Sequence, residues 1–180
     1  MGGPAAGPAA GAGGLCKDMW AVTFKEAPDQ AYLLIRPDHK ALECDAAVLR
    51  LLEKKLEYGK QMTVTLAGPT FSKGDFVLRL CTATQQIHSN QALLGHCLEL
   101  EYLPVSSPAV AEGMVGEFVD LLRQTLTAAG GAGLELVRPS YDKYGMGGQP
   151  YGRLHAAVAY GEMVVTLLNA SAAAQQPAAK

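Results

Sequence analysis

Around residues 94–103 the chain alternates, with Leu98, Leu100 and Tyr102 on one parity and Cys97, Glu99 and Glu101 on the other. A period of two is that of a strand with one buried and one wet face. It predicts that the two leucines and the tyrosine face a core and that both glutamates are solvated. Pro104 has no N–H to give to a ladder and ends the strand. Ser107-Pro108 then supplies an N-cap and a proline at the first helical position. A helical period follows over 108–128, with Met114, Val115, Phe118, Leu122 and Leu126 inward and Glu112, Glu117, Asp120 and Arg123 outward. Gly113 and Gly116 within it each cost about 1 kcal/mol relative to Ala, which points to close packing against a neighbour. Gly130-Gly131 ends the helix.

Upstream, two β-rich runs at 19–25 and 31–36 flank Glu26-Ala27-Pro28-Asp29, whose Pro-Asp pair predicts a hairpin turn. Residues 45–58 switch to helix, with Val48, Leu49, Leu52 and Leu56 as the apolar stripe and Gly59 as the stop. An alternating strand at 62–66, a loop at 68–74 and a longer strand at 76–87 follow. The turn His88-Ser89-Asn90 leads back into the strand already described, completing an antiparallel meander. Phe76, Leu78 and Leu80 share one face of the long strand and Val77, Arg79 and Cys81 the other. Downstream, 134–137 reads as a short strand and 144–152 as a Gly/Pro loop. A last helix is predicted over 151–169. Its core stripe is Leu154, Ala157, Val158, Gly161, Val164, Val165 and Leu168, and a flanking line of Tyr160, Met163 and Leu167 is also apolar. A helix apolar over most of its girth is buried on more than one side or meets a partner. Tyr160, Met163 and Leu167 are therefore the candidate partner-facing residues. The predicted class is α+β: a curved antiparallel sheet or incomplete β-barrel with three packed helices.

Composition narrows the function. The 180 residues are 49% hydrophobic, enough for a globular core, with 15 basic and 17 acidic side chains for a net charge of −2. That balance lacks the Lys/Arg excess of a chain that neutralises phosphates alone; Lys54, Lys55 and Lys60 are interrupted by Glu53 and Glu57. No direct specific nucleic-acid binding is expected. The organisation read from composition is a flexible Gly/Ala/Pro-rich tail at 1–18, one α+β domain at 19–169 and a second flexible tail at 170–180. No run is read as a membrane span, and a soluble chain without membrane attachment is expected.

Candidate chemistry is thin. Cys16, Cys44, Cys81 and Cys97 form no Cys-x-x-Cys, and His96-Cys97 points to opposite strand faces, so neither a disulfide framework nor a zinc site is predicted. Gly145-Met-Gly-Gly148 lacks the spacing of a phosphate loop and reads as a connector. Asp38-His39 reads as a surface turn, and Glu99 with Glu101 as solvated acids. No catalytic, cofactor-binding or metal-binding residue is assigned, and no cofactor is expected.

One resemblance adds what composition cannot. Asp75-Phe-Val-Leu-Arg-Leu-Cys-Thr-Ala-Thr84, followed by Gly95-x-x-Leu-Glu-Leu-Glu-Tyr102, resembles the central β-meander of the Mediator complex subunit 20 family, a head-module component of the RNA polymerase II coactivator. Tyr151-Gly152 with Val158, Tyr160 and Glu162 is similar to that family's final helix. The likeness spans about residues 19–169, with Cys81 where the family tends to place a glycine. It implies a nuclear, non-enzymatic structural subunit that supports polymerase II transcription through protein–protein contacts. It also implies Mediator subunit 18 as paired neighbour, subunit 8 as tether, and absence of the family's usual N-terminal lobe from this chain. The alternative is a small α+β ligand-binding barrel or enzyme. Its apolar pocket would lie between the sheet and the last helix, with Val64, Leu66, Leu98 and Leu100 on one inner face.

Overall fold

The computed structural model describes residues 18–56, 58–131 and 133–175. Of the expected tails, residues 1–17 and 176–180 lie outside the described residues. The chain order is β1 (Met19–Phe24), β2 (Ala27–Ile35), β3 (Lys40–Asp45), α1 (Ala47–Lys55), β4 (Thr63–Ala67), β5 (Thr70–Lys73), β6 (Phe76–Ile87), β7 (Asn90–Tyr102), α2 (Pro108–Ala128), a short 3-10 helix (Tyr141–Tyr144) and α3 (Arg153–Gln175).

β1, β2 and β3 form an antiparallel sheet in that order. The first hairpin is as expected, but its turn is Lys25-Glu26, because Phe24 already pairs with Ala27. Pro28 therefore sits inside the central strand. It causes no break, since it falls in the irregular stretch between the Phe24–Ala27 and Val22–Tyr32 pairs and before Gln30 pairs with Asp45, so its missing N–H leaves no rung empty. β3 was not expected. Half-buried Ala41 and Cys44 are small, and Leu42 is 49% exposed, so no alternation of large apolar residues marks the strand. Asp38 and His39 lie in the turn before it, with His39 at φ +49°.

β4, β5, β6 and β7 form the second antiparallel sheet. β6 carries it: β7 pairs along its whole length on one edge, while β4 and β5 lie end to end on the other. The stretch at 70–73, expected as loop, is β5, a continuation of β4 after a jog at Gly68-Pro69. There Leu80 N–H donates to the Pro69 carbonyl at 3.0 Å. A Cβ on Gly68 would come within 1.8 Å of the Leu80 carbonyl oxygen, so the jog requires glycine. A bulge at Leu94 shifts the β6–β7 register between Ala83 and Thr84.

This register corrects the expected inner face. Leu98 and Leu100 pair with Leu80 and Leu78, on the even-numbered face of β6. Val64 and Leu66 pair with Gln85 and Ala83, on the odd-numbered face. The four apolar side chains thus divide between opposite faces. Each face receives a helix: Phe118 of α2 stacks on Phe76 at 4.5 Å, and α3 touches β7 from the other side as well as β1, β2 and β3.

α1 begins after Asp45, whose Oδ1 accepts the Ala47 N–H at 2.7 Å. Its stripe is shallow: Val48, Leu49 and Leu52 are half-buried and Leu56 is exposed. α2 starts after Ser107 and closes in a Schellman arrangement, with Gly130 at φ +70° and Gly131 N–H on the Leu126 carbonyl at 2.8 Å. Val119 is its buried residue, while Met114, expected inside, is 47% exposed. Among the described residues nothing lies within 4 Å of a Cβ built at Gly113 or Gly116, so the close packing expected there is not made by them. The expected strand at 134–137 is not a strand, and it has no ladder partner among the described residues.

α3 runs past the expected end at Asn169 to Gln175. By length and composition it could cross a membrane, contrary to the reading that no run qualifies. Its contacts give another reason for its apolarity: lying between two sheets, it buries side chains on two sides. Leu34, Met146 and Val158 form the core, with Trp20, Val22, Ala41, Tyr141, Tyr144 and Leu154 packed around them. The architecture is α+β, two antiparallel sheets not closed into a barrel.

Candidate interaction site

The candidate residues Tyr160, Met163 and Leu167 are all half-buried. They lie along the side of α3 away from the Leu154–Val158 core stripe, and the chain itself uses part of this line. The Tyr160 hydroxyl donates to Glu99 Oε2 on β7, and its ring lies 5.9 Å from that of Phe24. Leu167 approaches Gly95, where a Cβ would meet the Leu167 Cδ2 at 3.1 Å. Gly95 has φ +154° beside the bulge, so the missing side chain admits α3 to the sheet.

Glu99 and Glu101 are not simply solvated. Arg79 Nη1 lies 3.0 Å from Glu99 Oε2 and 2.9 Å from Glu101 Oε2, with the glutamate side chains 24% and 37% exposed. Burial first, then the hydrogen bond to Glu99, pushes the Tyr160 hydroxyl far above the ordinary tyrosine range. The tyrosine therefore stays protonated and donates. Arg79 was placed on the correct strand face by parity. Its pairing needed only the hairpin register, in which Arg79 lies directly opposite Glu99. Two rungs along, Cys81 and Cys97 also face each other, and burial with the neighbouring Cys81 raises the Cys97 thiol to about 11. Both are free thiols. This is a pinned seam between α3 and the second sheet rather than a reactive centre. Glu99→Gln should lower stability by about 1–2 kcal/mol, because the half-buried carboxylate holds two donors. Urea unfolding measures it, and a loss below about 0.5 kcal/mol would show that the seam is solvated.

A second group surrounds the start of α3. His155, in the first turn of α3, is only 5% exposed. Its Nδ1 accepts the Gly152 N–H at 3.3 Å and its Nε2 lies 3.4 Å from the Met146 carbonyl, which fits the neutral ring protonated on Nε2. Tyr141 and Tyr151 pack on it with centroids 5.0 and 5.5 Å away. An open groove of about 560 Å³ lies beside these rings, bordered by Ser106, Ser107, Arg138 and Asp142. The connector read at 145–148 forms part of its wall, with Met146 buried.

Exposed apolar side chains occur on several elements, among them Phe71, Leu93 and Leu103, and on α2 they line up. Val110, Met114 and Leu121 are 67%, 47% and 57% exposed and fall at i, i+4 and i+11, one stripe beside the buried one. The sequence pattern folded Met114 into the core stripe and passed over the other two. A helical projection with both stripes drawn would have separated them.

The chain is similar to Mediator of RNA polymerase II transcription subunit 20b from Arabidopsis thaliana. The two are 26% identical over 150 residues, which is 83% of this chain and 67% of that protein. No family model and no solved structure matches the chain. The resemblance first read from the β-meander and the final helix is thus matched by a likeness along most of the sequence, and the chain is subunit-20-like.

Proposed function

We propose that this chain acts as a Mediator subunit in the nucleus, supporting regulation of RNA polymerase II transcription by protein–protein contact and without catalysis. In this reading the α+β unit over residues 19–169 assembles with other head subunits, with subunit 18 as paired neighbour and subunit 8 as tether. Two lines support it: the likeness to subunit 20b and the uncovered apolar stripe of α2. The stripe is the single structural observation that carries the assembly reading, because scattered surface leucines need no explanation whereas an aligned set does. The candidate line on α3, chiefly Met163, would extend such a surface.

Affinity purification of the tagged full chain from cells of its source is the test. Co-purification of other Mediator subunits supports the proposal, and isolation free of them overturns it. Within that experiment, Leu121→Glu should leave stability within about 0.5 kcal/mol, since the side chain already meets water. It should weaken subunit recovery by about tenfold or more by placing an unpaired charge in the interface. A mutant that is folded and fully assembled would move the contact away from α2.

A further inference from the structure

Under α3, against the first sheet, lies a cavity of about 240 Å³ whose chemistry the assembly reading leaves unused. Its walls include Trp20 from β1, Arg36 from the end of β2, His39 from the following turn, Tyr144 from the 3-10 helix and Glu162 from α3. Leu34 forms its apolar floor. Gly161 holds the helix against that floor, since a Cβ there would come within 2.6 Å of Leu34 Cδ1. The volume is several times the roughly 30 Å³ of a liquid water. That leaves room for a four-methylene stem and its head group.

The two charged side chains that line the cavity differ in their partners. Arg36 lies over the Trp20 ring at 5.8 Å and pairs with Asp18 at 3.5 Å, while Trp20 Nε1 donates to Asp18 Oδ1 at 3.1 Å. The cationic wall is thereby matched to its own carboxylate. Glu162 is half-buried, and among the described residues its carboxylate has no hydrogen-bond or ion-pair partner. Burial first, then Glu162, raises the Tyr144 hydroxyl above the ordinary tyrosine range, with Arg36 opposing. Beside Glu162 stand the rings of Trp20, Tyr144 and His39, the last two 5.7 Å apart. Aromatic rings next to an uncompensated carboxylate are the setting that attracts an organic cation.

We infer that this pocket receives the alkylammonium side chain of a lysine on a partner protein. The stem would lie along Leu34 and the rings, and the head would meet Glu162. An anion would meet the Glu162 carboxylate, and a purely apolar group would cover Glu162 without giving it a partner. The inference stands on this geometry whether or not the chain assembles with Mediator.

Trp20 is the only tryptophan of the chain, so its emission reports on the pocket directly. The purified full chain is titrated with Nα-acetyl-lysine amide, its ε-trimethylated form and the neutral Nα-acetyl-norleucine amide, up to tens of millimolar. A saturable emission change with the two cationic probes and none with norleucine is expected. Glu162→Gln should weaken the lysine probe about tenfold, and Tyr144→Leu should weaken it as well, both checked as folded by circular dichroism. Glu117→Gln on α2 should change nothing. Equal responses to norleucine and lysine overturn the inference, as does unchanged affinity in folded Glu162→Gln, or no saturable change with either cation.

Discussion

Val158→Asp is expected to abolish cooperative folding of the isolated chain. Val158 has no exposed surface and meets Leu34 and Met146 where α3 crosses the first sheet. A carboxylate there would lose its water and find no cation in that core. Burying an unpaired charge costs several kcal/mol even after the surroundings relax. A whole domain is stable by only about 5–15 kcal/mol. This core has few large side chains to spare, since among the described residues Tyr32 and Val158 are the largest that are fully buried. The far-ultraviolet circular dichroism melt should lose its sigmoidal transition. A near-native melt would mean that α3 turns a different face to the sheet.

Gly68→Val carries the second large effect. The atoms nearest a Cβ at this position are the carbonyl oxygen and carbon of Leu80, at 1.8 and 2.9 Å. Both belong to the backbone of β6, so no side chain can swing away to make room. The strand would have to move where Leu80 N–H bonds the Pro69 carbonyl. The jog that lets β4 and β5 share one edge of β6 would open. A loss of about 3 kcal/mol or more in urea unfolding is expected, in the range of overpacking and backbone strain. A change under about 1 kcal/mol would show that the jog relaxes freely and that β5 is not held in the sheet. The expectation is sharp because the same stretch reads as an ordinary Gly-Pro loop in the sequence.

Legibility followed side-chain size and local period. The β6–β7 hairpin was visible because large apolar residues alternate over both strands around a turn of small polar ones, and α2 because an N-cap, a proline and a Gly-Gly stop frame its period. β3 and β5 were not visible. Ala41 and Cys44 are small, all four residues of β5 are exposed, and both strands exist because a neighbour offers them a ladder. The short run at 134–137 failed in the opposite sense: its pattern suits a strand, but among the described residues no neighbour pairs with it in a ladder. The candidate seam was half legible. Parity placed Arg79, Glu99 and Glu101 correctly on one face, but the prediction that this face is wet required knowing that no helix covers it.

The amino-acid sequence by itself determined the α+β class, the meander, the three helices, the position of the α2 start and stop, and the likeness to subunit 20. All of these rest on local period, turn chemistry or residue identity. Only the tertiary structure decided which face of each strand is buried. Alternation defines two faces without ranking them, and the strand register then assigns Val64 and Leu66 to one side and Leu98 and Leu100 to the other. It also decided the role of α3, whose apolarity on two sides reflects its place between two sheets. The pairing of Glu99 with Arg79 and Tyr160, and the placing of Glu162 beside Trp20, come from side chains far apart in the chain. No periodicity along the chain encodes such distances, because the charges meet only after the helix has docked.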